Sequence, residues 1–501
     1  MNKNKERLIV FVIFLFCLSL RLAFITQKNL WFDEIFSWHL SQGSFLDITW
    51  GTSADIHPPF YYYLLKVWML VFGDSVFSLR FLSAILTSSA VFLIHPISRK
   101  VLSAGESLIV IILFSISPLN LYYSQEARMA ALNLLLNVAA LYYFFKVLEY
   151  KGSFKGFLKS PNTWAYFLFT TLALYTHYFS FAFLAGEFIY VLVNFKKLTR
   201  RIHHFSFLFI LIFAAYLFWL PIFIKHVSTG QSWRKGQGVT SLFEQLFYFT
   251  KDISLGLYHF YGDYDMMKII NVLVIILFGF IIITLVYSYY KNRLKRKGKK
   301  ISFPDYKQLV IYVTLIPLLI ACIIFVKEKI EFFRYLSFII PFILICGMLG
   351  ISVLNRKVQL PVIILFAMIN LYGVYLYYNF DFKNNDYRQV IKTLDKNDTD
   401  GSKIFVYPHY YGWIINYYKE QEHLKIPDVS ETRYGWGELK DSLNTYKPDK
   451  FWLVLDYGAQ DTVTYKDKLN SLKQGYTITF LDSFPTVPFQ AKVYRLEKNN
   501  Q

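Results

Sequence analysis

The chain has 501 residues, of which 55% are hydrophobic, 20% aromatic and only 17% charged, a balance that sets the class as a polytopic membrane protein. Its formal net charge of +19 sits mainly in short Lys and Arg clusters between apolar runs, where such residues orient helices across a bilayer. No zinc finger, helix-turn-helix or RNA-binding signature accompanies that charge, so a nucleic-acid partner is not expected.

At the N-terminus Lys3, Lys5 and Arg7 precede an apolar run from about Leu8 to Phe24 with no small-residue cleavage site after it, which predicts an uncleaved first helix. Further apolar runs lie near 76 to 98, 104 to 121, 126 to 147, 163 to 176, 178 to 195, 205 to 224, 267 to 290, 307 to 326, 332 to 350 and 358 to 378. Together they predict about eleven spans. With the N-terminus in the cytoplasm, Arg99 and Lys100, then Lys146, Lys151 and Lys155, then Lys196, Lys197, Arg200 and Arg201, then Lys291 to Lys300, then Arg356 and Lys357 all fall inside. An odd number of spans puts the C-terminal segment outside. The run Phe60 to Phe72 breaks this alternation if counted as a span and is read as an interfacial helix. Cys17, Cys322 and Cys346 lie in apolar segments without metal-ligand spacing and predict buried thiols with no disulfide framework.

The composition divides the chain into a transmembrane domain, residues 1–379, whose first external loop is 27–75, and a soluble extracytoplasmic α/β domain, residues 380–501. In the second, Lys403 to Tyr407, Phe451 to Leu455 and Tyr476 to Leu481 read as strands, while Asp386 to Leu394 and Tyr465 to Gln474 have helical spacing. The segment Tyr434, Gly435, Trp436, Gly437 reads as a turn around a packed Trp or as an exposed aromatic contact loop.

The predicted topology gathers unusual polar residues on one face. Asp33, Glu34, Asp55 and His57 fall in the first external loop, Gln125, Glu126 and Arg128 at the next external turn, His177 and Tyr178 at the third, and Glu331 and Arg334 at the fifth. A transporter would place ionisable residues near the midplane, in broken helices and related halves of the chain; here they crowd the outer edge, with Glu187 the main exception, and no internal repeat is visible.

Several of these motifs carry a resemblance: Trp31-Phe32-Asp33-Glu34, His57-Pro58-Pro59-Phe60-Tyr61, the stretch around Ser78, Leu79 and Arg80, the run from Ser117 through Gln125, Glu126 and Arg128, Tyr175-Thr176-His177-Tyr178, and Arg334-Tyr335-Leu336 with Pro341. In this order they resemble the bacterial branch of the protein mannosyltransferase and aminoarabinose transferase superfamily, which are GT-C class membrane glycosyltransferases. The resemblance runs through about the first 350 residues and weakly through Asp386-Tyr387-Arg388.

The resemblance implies transfer of one sugar from a polyprenyl-monophosphate donor to an extracytoplasmic acceptor (a cell-envelope glycan, lipid or protein), usually with inversion, in a multi-pass protein of the bacterial cytoplasmic membrane. A hydroxyl acceptor needs a carboxylate to take its proton. Asp33 matches the catalytic acid of the superfamily, while Glu34 shares that role, orients Asp33 or helps hold a cation. The leaving phosphate needs cationic stabilisation, for which Arg334 and Arg128 offer bidentate geometry. His57 stands where aminoarabinose transferases carry a phosphate-contacting lysine; it is a further phosphate candidate or a structural cap ahead of Pro58. Glu126 resembles the second acidic position of the class, where some members bind a divalent cation such as Mg²⁺ or Mn²⁺ and others use none. Asp55, Arg80, His177 and Tyr178 complete the candidates: Arg80 snorkels to headgroups or contacts substrate, and His177 and Tyr178 form a hairpin tip or a binding pair. Two other classes fit the composition, a lipid-linked sugar flippase and a non-enzymatic assembly protein of envelope polysaccharide.

Overall fold

A computed structural model describes residues 2–229, 241–258, 264–295, 304–328, 330–379, 386–408, 411–429, 436–458, 462–486 and 489–499. The chain divides into two compact units, one of residues 1–23, 43–71 and 80–380, the other of residues 24–42, 72–79 and 381–501. The second unit therefore takes in two N-terminal stretches that the composition boundary at 379/380 assigns to the membrane part.

The first unit is helical. Among the described residues seven helices are long and apolar enough to cross a membrane: Val76–Ser98, Ala130–Glu149, Phe195–Tyr216, Asp265–Ser288, Tyr306–Glu328, Phe332–Ile351 and Arg356–Asn379. Helices Ala104–Ser115 and Pro118–Ser124 make an eighth if taken as one span bent by 56°. The other three predicted spans fall short of that test for visible reasons. Helix Lys3–Leu22 carries Lys3, Lys5, Glu6, Arg7 and Arg21, and Pro161–Leu174 and Ser180–Val193 stop at 14 residues each, below the roughly 20 needed to span the hydrocarbon core.

Burial sorts the helices by neighbour. Ala130–Glu149 packs most of its apolar side chains inside the unit, whereas Ile269, Val272, Ile276, Ile283 and Val286 of the 265–288 helix are exposed, as expected of a face whose solvent is lipid.

The bend near Ser117 has a local cause. Pro118 has no N–H to give the preceding turn and drives Ser117 into an extended conformation. One carbonyl left unpaired there, that of Ser115, accepts a hydrogen bond from the fully buried Arg21 guanidinium at 3.1 Å, and Arg21 also reaches the Cys17 carbonyl at 3.0 Å. Just beyond the bend, the Gln125 amide donates to the carbonyls of Arg21 and Ala23, both at 2.8 Å, and accepts from the Tyr377 hydroxyl at 2.6 Å. The turn that follows, Glu126 to Arg128, is thus anchored from two helices.

The second unit holds a four-stranded mixed sheet: β1 (Lys403–Tyr407), β2 (Lys450–Gly458), β3 (Tyr476–Thr486) and β4 (Phe489–Lys498), in the order β1-β2-β4-β3. β1 and β2 are parallel and the remaining pairs antiparallel, with a register shift between Phe480 and Asp482. Phe405, Leu439, Phe451, Leu453, Leu455, Leu472 and Leu496 form its core. The three strands expected from sequence are present, and β4, which was not expected, lies in the interior of the sheet. Tyr434 and Gly435 lie outside the described residues; a helix, Trp436–Tyr446, begins at the next position.

Candidate functional site

In the first unit, the loop after helix Phe45–Ala54 brings four candidates into one neighbourhood. Two prolines, Pro58 and Pro59, hold the chain extended before helix Phe60–Phe72, and the Phe60 N–H donates to the Tyr175 carbonyl at 3.0 Å. This ties the 55–60 loop to the hairpin tip between helices Pro161–Leu174 and Ser180–Val193. Within the loop, the Asp55 carboxylate and His57 Nδ1 are 2.9 Å apart. Burial works to raise the Asp55 carboxyl, but the hydrogen bond from His57 and the charges of His57 and Arg128 outweigh it and hold the group below the usual carboxylate range. His177 is pushed the other way, down to about 3, by burial first and then by the nearby His57 and Arg128. Its Nδ1 accepts from the Phe179 N–H at 3.2 Å, the bond a neutral imidazole can take.

Tyr178 serves as a brace. Its hydroxyl meets His226 Nδ1 at 2.6 Å and accepts from Trp219 Nε1 at 3.1 Å, while His226 Nε2 reaches the Ser53 carbonyl at 3.1 Å. The hairpin tip therefore does two jobs: His177 lies in the electrostatic neighbourhood of Arg128 and His57, and Tyr178 helps fix the end of the helix that leads into Asp55.

A second group of the same unit surrounds the anchored turn. Glu126 is 3% exposed and Arg128 half-buried, with the Arg128 N–H donating to the Glu126 carbonyl at 2.8 Å. Arg334 pairs with Glu331 at 2.8 Å. Glu126, Glu331, Arg334 and Asp252 all lie within electrostatic reach of the Tyr123 hydroxyl. Asp252 and its neighbour Lys251, on helix Leu242–Leu255, were not expected from sequence, although both are buried. Two charged residues side by side at buried positions of a short amphipathic helix were the available signal. Arg80 is 3% exposed, so its side chain is packed within the protein.

Asp33 and Glu34 belong to the second unit. They occupy the first turn of helix Phe32–Gln42, where carboxylates complement the helix dipole. Glu34 is fully buried and its carboxylate accepts from the Trp31 N–H at 3.3 Å, closing the turn, while Asp33 is half-buried. The turn is gripped by helix Gly412–Gln421: the Leu30 N–H donates to the Tyr418 hydroxyl at 2.5 Å, and Trp413 stacks on His39 at 4.3 Å and on Phe32 at 6.4 Å. Asp74 completes the grip by accepting from Trp38 Nε1 at 2.8 Å, from the Tyr417 hydroxyl through its carbonyl at 3.0 Å, and from Gln421 at 3.2 Å.

Among the described residues no three His, Cys, Asp or Glu side chains converge as a set of metal ligands.

Seven membrane-length apolar helices among the described residues, with polar residues collected at the turns between helices, fit a multi-pass membrane protein. Residues 56–219 match the sequence profile of the dolichyl-phosphate-mannose-protein mannosyltransferase family. Among solved structures the chain is similar to ArnT from Cupriavidus metallidurans bound to undecaprenyl phosphate, with 11% identity, a TM-score of 0.62 and coverage of 99% of this chain and 98% of that one. It is also similar to the archaeal oligosaccharyltransferase AglB from Archaeoglobus fulgidus in complex with an inhibitory peptide and a dolichol-phosphate, with 14% identity, a TM-score of 0.55 and coverage of 98% of this chain and 74% of that one. No curated protein matches the chain by sequence. Residues 56–219 thus resemble that mannosyltransferase family, and the chain as a whole shares the GT-C fold of these solved structures.

Proposed function

We propose that the protein moves a single sugar from a polyprenyl-monophosphate carrier to an acceptor of the cell envelope, a glycan, lipid or protein, on the outer face of a bacterial cytoplasmic membrane, with inversion at the anomeric carbon. The observation that carries this reading is the grouping of Asp55, His57, Arg128 and His177, three of them polar or charged groups at helix ends that lie in the very segment matching the mannosyltransferase family. Structures of the same fold hold undecaprenyl phosphate and dolichol-phosphate, which supports a lipid phosphate as the carrier here. The Lys and Arg clusters of the predicted inner loops support a cytoplasmic N-terminus and an extracytoplasmic C-terminal region.

The chemistry divides among named residues. The leaving group is a lipid phosphate that departs as an anion, so it needs positive charge as its oxygen is released and no proton. Arg128 and Arg334 supply that charge in the bidentate geometry a guanidinium offers. His57, fixed by Asp55, is the third phosphate contact, and a neutral His177 beside it adds hydrogen bonding without further charge. The acceptor hydroxyl is a weak nucleophile at neutral pH, and Asp33 takes its proton as the new bond forms. Buried Glu34 keeps Asp33 in place.

The test is release and transfer of labelled sugar from a panel of polyprenyl-phosphate sugars by purified protein in detergent, with wild type and Asp33→Asn, with and without EDTA. One donor should be turned over by wild type and not by the variant, at unchanged expression and membrane insertion. Turnover by Asp33→Asn at the wild-type rate would remove Asp33 from catalysis, and a loss of activity with EDTA restored by Mg²⁺ or Mn²⁺ would establish a cation. No turnover of any donor, with membrane extract supplying acceptors, would favour a flippase or assembly protein.

A further inference from the structure

Three stretches of the first unit meet around one phenol. Helix Pro118–Ser124 carries Tyr123, helix Leu242–Leu255 carries Lys251 and Asp252, and helix Phe332–Leu336 carries Arg334, with Glu331 immediately before it. Helix Leu242–Leu255 packs against both of the others, and the Phe249 and Phe332 rings meet edge to face at 6.1 Å. Tyr123 is 9% exposed, and its hydroxyl has no hydrogen-bond partner among the described residues. Around it stand Glu126, Arg334, Glu331 and Asp252. A buried hydroxyl left unsatisfied costs free energy and calls for a partner.

The group is graded from open to closed. The Arg334 and Glu331 side chains are 34% and 43% exposed, whereas Glu126 and Asp252 are each 3% exposed. The guanidinium is thus the accessible part of the group, and the phenol with two carboxyls is its buried part. An apolar ligand would leave the Tyr123 hydroxyl unsatisfied, and a bare anion at the buried part would meet carboxyls. A polyol satisfies that hydroxyl, because its own hydroxyls accept from a phenol O–H and can also donate to carboxyl oxygens nearby. A phosphate attached to that polyol belongs at the accessible part with Arg334.

We propose that Tyr123 and Asp252 bind the sugar ring of the lipid-linked donor, with Arg334 at its phosphate end, and that Asp252 determines which hydroxyl pattern is accepted. The assignment rests on the glycosyl-transfer reading insofar as this sugar is the one transferred. Burial pushes the Asp252 carboxyl up, Lys251 opposes and Glu331 adds to it. A site that hydrogen-bonds a hydroxyl rejects analogues lacking it far more strongly than an apolar pocket rejects a change in size.

The experiment measures binding of undecaprenyl phosphate and of its mannose, glucose and galactose esters to the full-length protein in detergent, for wild type, Asp252→Asn, Asp252→Glu and Tyr123→Phe. Wild type should bind at least one ester more tightly than the bare lipid. Asp252→Asn and Tyr123→Phe should each weaken that ester about tenfold and leave the bare lipid unchanged, and Asp252→Glu should restore part of the affinity or change the preferred sugar. Tyr123→Phe keeps its volume and ring packing, so it decides the matter if Asp252→Asn misfolds. Equal wild-type affinity for all four lipids, or an equal loss for ester and bare lipid in a folded variant, overturns the assignment. Sugar selection without sugar release sinks the transfer reading and leaves the subsite standing; release with unchanged selection in the variants does the reverse.

Discussion

Gly373 is the position at which one added methyl group should disturb most. A Cβ there would lie 2.6 Å from Pro118 Cγ, 2.8 Å from Leu255 Cα and 2.8 Å from the Leu255 carbonyl oxygen. Ordinary contacts of this kind are about 3.5–4 Å, so relief requires helix Arg356–Asn379 to move by up to about 1 Å away from two other helices. Two of the three obstructing atoms are backbone and cannot rotate aside. Overpacking of this sort costs about 1–3 kcal/mol. The displaced partners are those that carry the proposed sugar site, since Leu255 ends the helix of Asp252 and Pro118 begins the helix of Tyr123. Gly256, which follows Leu255 with a φ of 69° and its own close approach to Pro118 Cβ at 3.0 Å, shows how tightly that junction is drawn. A misplacement of about 1 Å is enough to cost roughly a hundredfold in rate. Gly373→Ala should therefore lower the thermal midpoint in detergent and reduce donor turnover by tenfold or more. Gly279→Ala is the control: its Cβ would meet nothing within 4 Å, and in a helix interior alanine is favoured over glycine by about 1 kcal/mol. Wild-type midpoint and turnover in Gly373→Ala, or equal damage in both variants, would refute the packing argument.

Other consequences concern pH and the grip on Asp33. Because His177 titrates at about 3 in the folded protein and near 6.5 when unfolded, its contribution to stability is present above pH 6.5 and is lost as pH falls towards 3. Wild type should lose thermal stability between pH 7 and pH 4.5 more steeply than His177→Asn; identical slopes would contradict the neutral assignment. Tyr418→Phe removes the acceptor of the buried Leu30 N–H, an unsatisfied group worth about 1–3 kcal/mol. The turn carrying Asp33 should loosen, lowering kcat more than donor affinity, and an unchanged kcat would show that the Tyr418 bond does not position the base.

Much of this was legible in the chain. Apolar runs located the helices because the bilayer demands length and continuity, whereas the bond that ties the 55–60 loop to the 175–178 tip joins residues far apart in sequence. The bend near Ser117 was not read, since a single Pro inside an apolar run is compatible with a continuous span. Lys251 and Asp252 were missed because what gives them meaning, Tyr123 and Glu331, lies far away in sequence. In the C-terminal region, β1, β2 and β3 stood out as apolar, β-branched or aromatic runs, whereas Lys492, Arg495 and Glu497 disguised β4, whose Ala491, Val493 and Leu496 are fully buried. The grouping of residues 24–42 and 72–79 with the C-terminal sheet region depends on contacts such as Leu30 with Tyr418 and Trp38 with Asp74, which no local pattern reports.

The most direct test of the account is the fate of the carrier lipid during turnover. Incubating purified protein with its preferred undecaprenyl-phosphate sugar and an acceptor extract, and quantifying both products by mass spectrometry, should give one undecaprenyl monophosphate for each sugar transferred, with the anomeric configuration inverted. Consumption of a diphosphate-linked donor in its place, or movement of the intact sugar lipid across a vesicle membrane without cleavage, would contradict it.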